Sequence, residues 1–268
     1  MKVFDKRSKP RREEFRDERG MKDDGPLRLY GTHAVEAALE NPRRKLKRLL
    51  ATENAEIRLA AVIARRQVPI DRATPRDLDN LLGADTVHQG LMLETEELPE
   101  PSLEDLAERA IAGGPLIILD HVTDPHNVGA VLRSAAAFGA SGLIMTRRHS
   151  PPLNGTLAKA ASGALELVPV LLVQNLAKVM AELKEQGIIL LGLDDAAEVL
   201  IEDEPFSKPT ALVLGAEGKG LRELTGETCD RLVKIATTGS IASLNVSNAA
   251  AVALHLAAMR RRNARVSK

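Results

Sequence analysis

Three short segments of this 268-residue chain concentrate the residue types that could do chemistry. The first runs from Asp120 to Asn127 and on through Gly129 to Arg133. Gly129 and Arg133 are four apart and so lie one above the other on a helix face. A residue without a side chain beneath a long cation leaves room for a phosphate or a ribose. Asn127 stands where an N-cap would, with a side chain able to accept from a free amide. On this segment alone, capping by Asn127 and solvation by Arg133 account for both residues. Asp120, His121, Asp124 and His126 lie in the same stretch and are metal-ligand types. Strand-end loops often collect polar residues, however, and no further ligands are spaced to complete a closed set, so no metal is expected.

The second segment is Gly215-Ala-Glu-Gly-Lys-Gly220. Glycines permit positive φ and let a ligand approach the backbone. The glycine spacing fits neither a Walker loop nor the dinucleotide fingerprint, and Glu217 in its middle would repel phosphates. A hydroxyl-rich or positively charged ligand, such as a sulfonium, suits it better. Alone, the stretch is equally a simple turn. The third segment, Ile235 to Asn248, packs Thr237, Thr238, Ser240, Ser243, Asn245, Ser247 and Asn248 against almost no charge. Such neutral donors and acceptors can bind adenine and ribose edges or orient a hydroxyl.

These segments need a scaffold, and the flanking pattern predicts one. Continuous apolar runs at Leu116–Leu119, Leu143–Met145, Leu167–Val173, Ile188–Leu193 and Ala211–Leu214 alternate with helical spacing at Asn127–Phe138 and Asn175–Gln186. That alternation implies an α/β fold with a parallel sheet covered on both faces, and such sheets bind ligands beyond their strands' carboxyl ends. The expected organisation is a charged, disordered tail over 1–25, a small α/β unit over 26–95, a Glu/Pro-rich linker over 96–112 and the large α/β domain over 113–268. In the small unit, Thr32–Leu39 and Ile57–Arg66 have helical spacing, while Arg48–Ala51, Val68–Ile70 and Gly90–Glu94 suit strands. The Ala-rich helix over Ala249–Ala258 is small nearly all round, as at a subunit interface or inside its own domain.

Composition narrows the function classes. Thirty-seven basic residues balance 37 acidic ones, and 44% of the chain is hydrophobic. Cys229 is the only cysteine, which excludes an internal disulfide and a cysteine-based zinc site. No apolar run approaches the ~20 residues of a membrane span, and the charged N-terminus lacks a signal peptide's apolar core, so a cytoplasmic protein is expected. Phe4, Phe15, Tyr30, Phe138 and Phe206 are the only aromatics, too few for reading single strands by stacking. Any RNA must be held through shape, charge and backbone. In the tail, Lys2, Lys6, Arg7, Lys9, Arg11 and Arg12 could touch phosphates, though solvation is their default role.

Taken together, Asn127-x-Gly129-x-x-x-Arg133, Leu214-Gly-Ala-Glu-Gly-Lys-Gly-Leu221 and Ser243-Leu-Asn-Val-Ser247 resemble the three motifs of the SpoU (TrmH-type) branch of the SPOUT RNA methyltransferases, in order and in strand context. Ala236 departs from the family's usual proline. Residues 27–95, with Leu29-Tyr-Gly-Thr-His-Ala-Val-Glu-Ala-Ala38, resemble the small ribosomal-protein-like RNA-binding domain (the L30e/L7Ae type) that some members carry. The resemblance implies a C-terminal trefoil knot, a homodimer completing the active site, and S-adenosyl-L-methionine as cofactor. It implies methylation of a ribose 2′-hydroxyl, on guanosine of large-subunit ribosomal RNA for members with the extra domain. Arg133 would contact the ribose or its phosphate, and Asn127, Glu217, Ser243 and Asn245 would orient Arg133 and the nucleotide. Backbone groups at Gly215, Ile235 and Leu244 would hold the adenosine. The same reaction on tRNA is the nearest alternative, and a non-catalytic RNA-binding assembly protein is the rival of another class. A nucleotide-dependent oxidoreductase ranks last, because the dinucleotide fingerprint is missing.

Overall fold

A computed structural model describes residues 26–240 and 243–266. The charged stretch 1–25, expected to be a tail, lies outside the described residues. The first unit comprises β1 (Leu27–Tyr30), α1 (Thr32–Glu40), β2 (Leu46–Ala51), α2 (Glu53–Arg66), β3 (Ile70–Arg72), α3 (Pro75–Leu82) and β4 (Leu91–Thr95). Its sheet runs β1-β4-β2-β3, with β4 antiparallel to both neighbours and β3 parallel to β2. The strand expected at Val68–Ile70 sits two residues later, and Val68 is buried just ahead of it. Helix α3, which apolar spacing did not reveal, is set by Thr74, Pro75 and Asp77: the threonine and aspartate cap each other's amides in a capping box.

The expected linker is partly a helix. Ser102 and Asp105 form a second capping box, opening α4 (Leu103–Ala112), whose Leu106, Ala107 and Ala110 are fully buried against the larger sheet. Residues 103–112 are therefore a covering layer, and apolar spacing at 103, 106, 107 and 110 outweighs the Glu/Pro-rich start.

The second unit continues with β5 (Leu116–Asp120), α5 (Pro125–Phe138), β6 (Gly142–Thr146), α6 (Gly155–Ala160), β7 (Val170–Val173), α7 (Leu176–Glu185), β8 (Ile189–Leu193), β9 (Val199–Leu200), β10 (Thr210–Gly215), α8 (Glu223–Thr228), β11 (Arg231–Lys234) and α9 (Val246–Val266). Every pairing in its sheet is parallel, in the order β7-β6-β5-β10-β8-β11-β9. The expected α/β fold with a doubly covered parallel sheet is what forms. Strand periodicity splits the core: Ile117, Leu119, Leu212 and Leu214 face one layer, and Leu116, Ile118, Ala211 and Val213 face α4 and α7 on the other. The strand expected from Leu167 begins at Val170, after a 3₁₀ turn over Ala164–Glu166. Pro169 has no N–H to donate, and its carbonyl accepts from Leu143 instead.

Helix α5 starts earlier than expected. Asp124 is the N-cap, accepting from the His126 amide at 2.9 Å, and Pro125 follows at the first helical position. Asn127 is thus inside the first turn and does not cap α5. Gly139 ends the helix in the left-handed conformation, as expected. Gly129 makes room for protein and not for a ligand: a Cβ there would lie 2.5 Å from that of Ala160 and 2.7 Å from its backbone carbonyl carbon. Helix α9 buries Val246, Ala250, Ala253, Leu254 and Ala257 on one face and packs on α5, while Val252 and His255 are exposed on another.

The two units are joined through a buried ion pair. Arg44 Nη2 meets Glu166 Oε1 at 2.5 Å with both side chains almost wholly buried, and Asn41 donates to the other carboxylate oxygen at 2.7 Å. Tyr30 and Thr156 hydroxyls also meet across the two units, at 3.0 Å.

Candidate active site

The order in which strands are added reverses at the β5–β10 seam: β6 and β7 extend to one side of β5, and β8, β11 and β9 lie beyond β10. A crevice outside the carboxyl ends is expected at such a switch point. A cavity of about 620 Å³ opens on the β10 side of that seam, lined by the 215–220 loop, the ends of β8 and β11, and Ser243 to Val246. The loop holds its shape through a two-way backbone pairing of Ala216 with Gly220, at 3.1 and 2.9 Å. Gly218 and Gly220 take φ of 74° and 65° to close it, a conformation that other residues adopt only at a cost.

Asn245 ties the loops together. Its side-chain oxygen accepts from Ser247 N at 2.8 Å and Ser247 Oγ at 2.6 Å, capping the start of α9. Its side-chain nitrogen donates to Asn127 Oδ1 at 3.0 Å and to Glu217 Oε1. One amide thus spends both donors and its acceptor on three different segments, fixing the first turn of α5, the glycine loop and α9 relative to one another.

Of the sequence-predicted residues, Glu217, Ser243 and Asn245 and the backbone positions Gly215, Ile235 and Leu244 all line this cavity, with Asn127 hydrogen-bonded at its rim. Arg133 is not among them. It is exposed and makes no hydrogen bond or ion pair among the described residues. Helix geometry explains this: six residues after Asn127, its side chain is rotated by about 120° around α5. Within one chain, the expected orienting of Arg133 by Asn127, Glu217, Ser243 and Asn245 does not occur.

Several lining residues escaped sequence reasoning. Asp194 and Asp195 follow β8, and Lys234 ends β11, the short strand that spacing did not reveal. The polar pair after an apolar run was the available signal. The lining therefore combines flat backbone and apolar surface from Leu214, Ile235 and Leu244 with carboxylates at Asp194, Asp195 and Glu217 and ammonium groups at Lys219 and Lys234. That donor set fits a ligand with a planar base, a diol, a cationic centre and an amino-acid end. Among the described residues, no group of three or more His, Cys, Asp or Glu side chains is placed to hold a metal ion, and no helix is long and apolar enough to cross a membrane.

An all-parallel sheet that gathers a glycine loop, a linking asparagine and a carboxylate at its switch point defines a ligand-binding α/β enzyme with a smaller unit docked ahead of it. More narrowly, the chain belongs to the SpoU rRNA methylase family, whose model matches residues 114–255. Residues 28–101 match the RNA 2′-O ribose methyltransferase substrate-binding family. The 23S rRNA (guanosine-2′-O-)-methyltransferase RlmB of Pseudomonas putida is 39% identical over 241 residues, covering 87% of this chain and 96% of that protein. The AdoMet complex of the SpoU methyltransferase AviRb from Streptomyces viridochromogenes superposes with a TM-score of 0.76 at 25% identity, over 89% of this chain and 92% of that one. A TrmH/SpoU tRNA modifying enzyme from A. aeolicus matches 60% of this chain and 85% of its own, with a TM-score of 0.51 at 26% identity.

Proposed function

We propose that this chain transfers a methyl group from S-adenosyl-L-methionine to the 2′-hydroxyl of a guanosine in 23S ribosomal RNA. The observation that carries the reading is the meeting of Asn127, Glu217 and Asn245 at the mouth of the cavity built on the glycine loop. Ribosomal RNA is favoured over tRNA because the N-terminal unit matches the substrate-binding family, whereas the tRNA modifying enzyme matches only 60% of the chain. The reading places the protein in the cytoplasm with its RNA.

When bound, the cofactor supplies a methyl group already activated by its sulfonium charge. The backbone of Gly215, Ile235 and Leu244 would hold the adenosine end, and Glu217 would supply negative charge for the cationic centre. Asp194 and Asp195 are acceptors for a diol; Lys219 and Lys234 are partners for a carboxylate. Asn245 keeps these elements in register, so that the ribose oxygen and the methyl carbon can be held in near-attack alignment, worth ~7–11 kcal/mol when geometry is right.

A ribose hydroxyl must also lose its proton. A guanidinium is a cation with donors and no acceptor, so the role of Arg133 is to steady the developing alkoxide by charge, while water or an RNA phosphate takes the proton. Since Arg133 stands away from its own chain's cavity, the reading has it complete the site of a second copy in a homodimer. The exposed Val252 and His255 on α9 are available for such packing. A trefoil knot threading the C-terminal segment belongs to the same reading.

The test is nucleoside mass spectrometry after incubating the protein and cofactor with 23S ribosomal RNA that lacks 2′-O-methylation. The expected product is 2′-O-methylguanosine. A base-methylated nucleoside, or methylation of tRNA alone, would overturn the reading.

A further inference from the structure

A second cavity, of about 390 Å³, opens on the same carboxyl edge, over the ends of β5, β6 and β7. Arg148, Arg222, His121, His149 and the first turn of α7 form its walls, and no carboxylate is among the residues lining it. Arg222 is held by Asp120. Its Nε and Nη2 sit 2.8 and 2.7 Å from Asp120 Oδ1, its backbone N–H donates to Oδ2 at 3.1 Å, and the guanidinium remains half exposed. Asp120 is itself buried and is not among the residues lining the cavity, so it positions the arginine from outside the lining, and the remaining guanidinium N–H groups stay available. Arg148 is exposed, with no side-chain partner among the described residues.

The two histidines carry an independent mark. His121 and His149 adopt left-handed backbone, with φ of 58° and 66°, and their rings face each other with centroids 4.7 Å apart. Such conformations cost energy and tend to persist at binding sites. Helix α7 adds amides: Asn175 caps the Lys178 N–H, leaving those of Leu176 and Ala177 in the cavity wall, where a helix start favours an anion. Two arginines, one of them paired with Asp120 outside the cavity, a strained histidine pair and free helix amides, with no carboxylate in the lining, match a phosphate dianion or diester better than a base or a neutral sugar.

The position supplies the source. Gly215 pairs with Asp120 across the β5–β10 seam; Lys219 and Gly220 line the first cavity, and Arg222, two residues on, lines the second. We propose that this second cavity is a phosphate-binding site, and that in the working enzyme it holds a backbone phosphodiester of the RNA beside the nucleotide being methylated. The phosphate chemistry stands on the cavity alone; its assignment to RNA rests on the function proposed above. Arg148 and Arg222 are then positioning residues, which hold the strand and take no part in the transfer.

Full-length protein carrying Arg148→Ala tests this, since the Arg148 side chain has no hydrogen-bond or ion-pair partner among the described residues and only its backbone carbonyl, kept in the variant, accepts from Thr146, with Arg222→Lys as a variant that keeps the charge over Asp120. For Arg148→Ala, KM for 23S ribosomal RNA is expected to rise ~10-fold, with the slope of log affinity against log salt falling by about 0.7–0.9. Turnover should stay within about two-fold of wild type and cofactor affinity should not move, as for lost ground-state binding. Calorimetric titration with inorganic phosphate separates the sources. Phosphate binding lost in Arg148→Ala, with RNA KM and salt slope unchanged, would keep the phosphate site and reassign it to free phosphate. Unchanged RNA parameters together with no phosphate binding by wild type would overturn the proposal. Should wild type transfer no methyl at all, the function reading fails, while phosphate titration and direct RNA binding still decide this one.

Discussion

At the residue scale, the account turns on side chains with two duties. Asn245 both caps α9 and links Asn127 to Glu217, and the duties can be separated. Asn245→Ala removes the cap and should cost about 1 kcal/mol of stability by urea unfolding. Asn245→Asp keeps the capping oxygen but loses both donors and sets a second carboxylate against Glu217. It should leave stability near wild type and lower methyl transfer ~100-fold, the cost of ångström-scale misplacement. Equal activity in Asn245→Asp and wild type would show that the link is structural only. Asp120 gives a pH signature. Burial alone would raise its carboxyl, but hydrogen bonds from Arg222 and Thr225 and the Arg222 charge hold it below the usual carboxylate range. A depressed folded value contributes stability that is present above the unfolded value and lost as pH falls through the folded one. Asp120→Asn should therefore lower Tm above about pH 4, with the gap to wild type closing below it; a constant gap at all pH would contradict the pairing.

At the element scale, the strands that build the site were legible because β5, β6, β8 and β10 are buried on both faces, and their apolar runs are continuous. Short elements were not. Strands β9 and β11 and helices α6 and α8 span two to six residues, less than the periodicity needs to show. Helix α3 was legible only through its capping box, which a search for apolar spacing passes over, and α4 has both a capping box and apolar spacing behind a Glu/Pro-rich start that reads as a linker. Gly129 shows the same limit. A glycine four residues from an arginine reads as clearance for a ligand, yet the space belongs to α6, a partner the sequence does not announce. Gly129→Ala should accordingly force α5 from α6 and cost ~1–3 kcal/mol as overpacking, read from the urea midpoint, with cofactor affinity unchanged in the folded fraction. A neutral substitution would return the glycine to a ligand-clearing role.

At the scale of the whole molecule, the three motifs were legible as a set although each alone was ambiguous, because only the fold brings Asn127, Glu217 and Asn245 together from segments more than a hundred residues apart in the extreme case. What spacing could not convey was the position of Arg133 outside its own cavity, nor the Arg44–Glu166 pair that docks the N-terminal unit. Arg44→Met strands a buried carboxylate and should destabilise the protein by about 3–5 kcal/mol, most of it recovered in Arg44→Met/Glu166→Leu; a failure of the double variant to recover would place the cost in packing and not in charge. The central claim, methyl transfer to ribosomal RNA with Arg133 in the key role, is met most directly by tritium transfer from labelled S-adenosylmethionine to large-subunit RNA and, separately, to tRNA, each lacking 2′-O-methylation. The account predicts label in ribosomal RNA alone, reduced ~100-fold or more by Arg133→Ala, the scale seen when a group that stabilises a developing oxyanion is removed. Label in tRNA alone, or label in ribosomal RNA undiminished by Arg133→Ala, would contradict it.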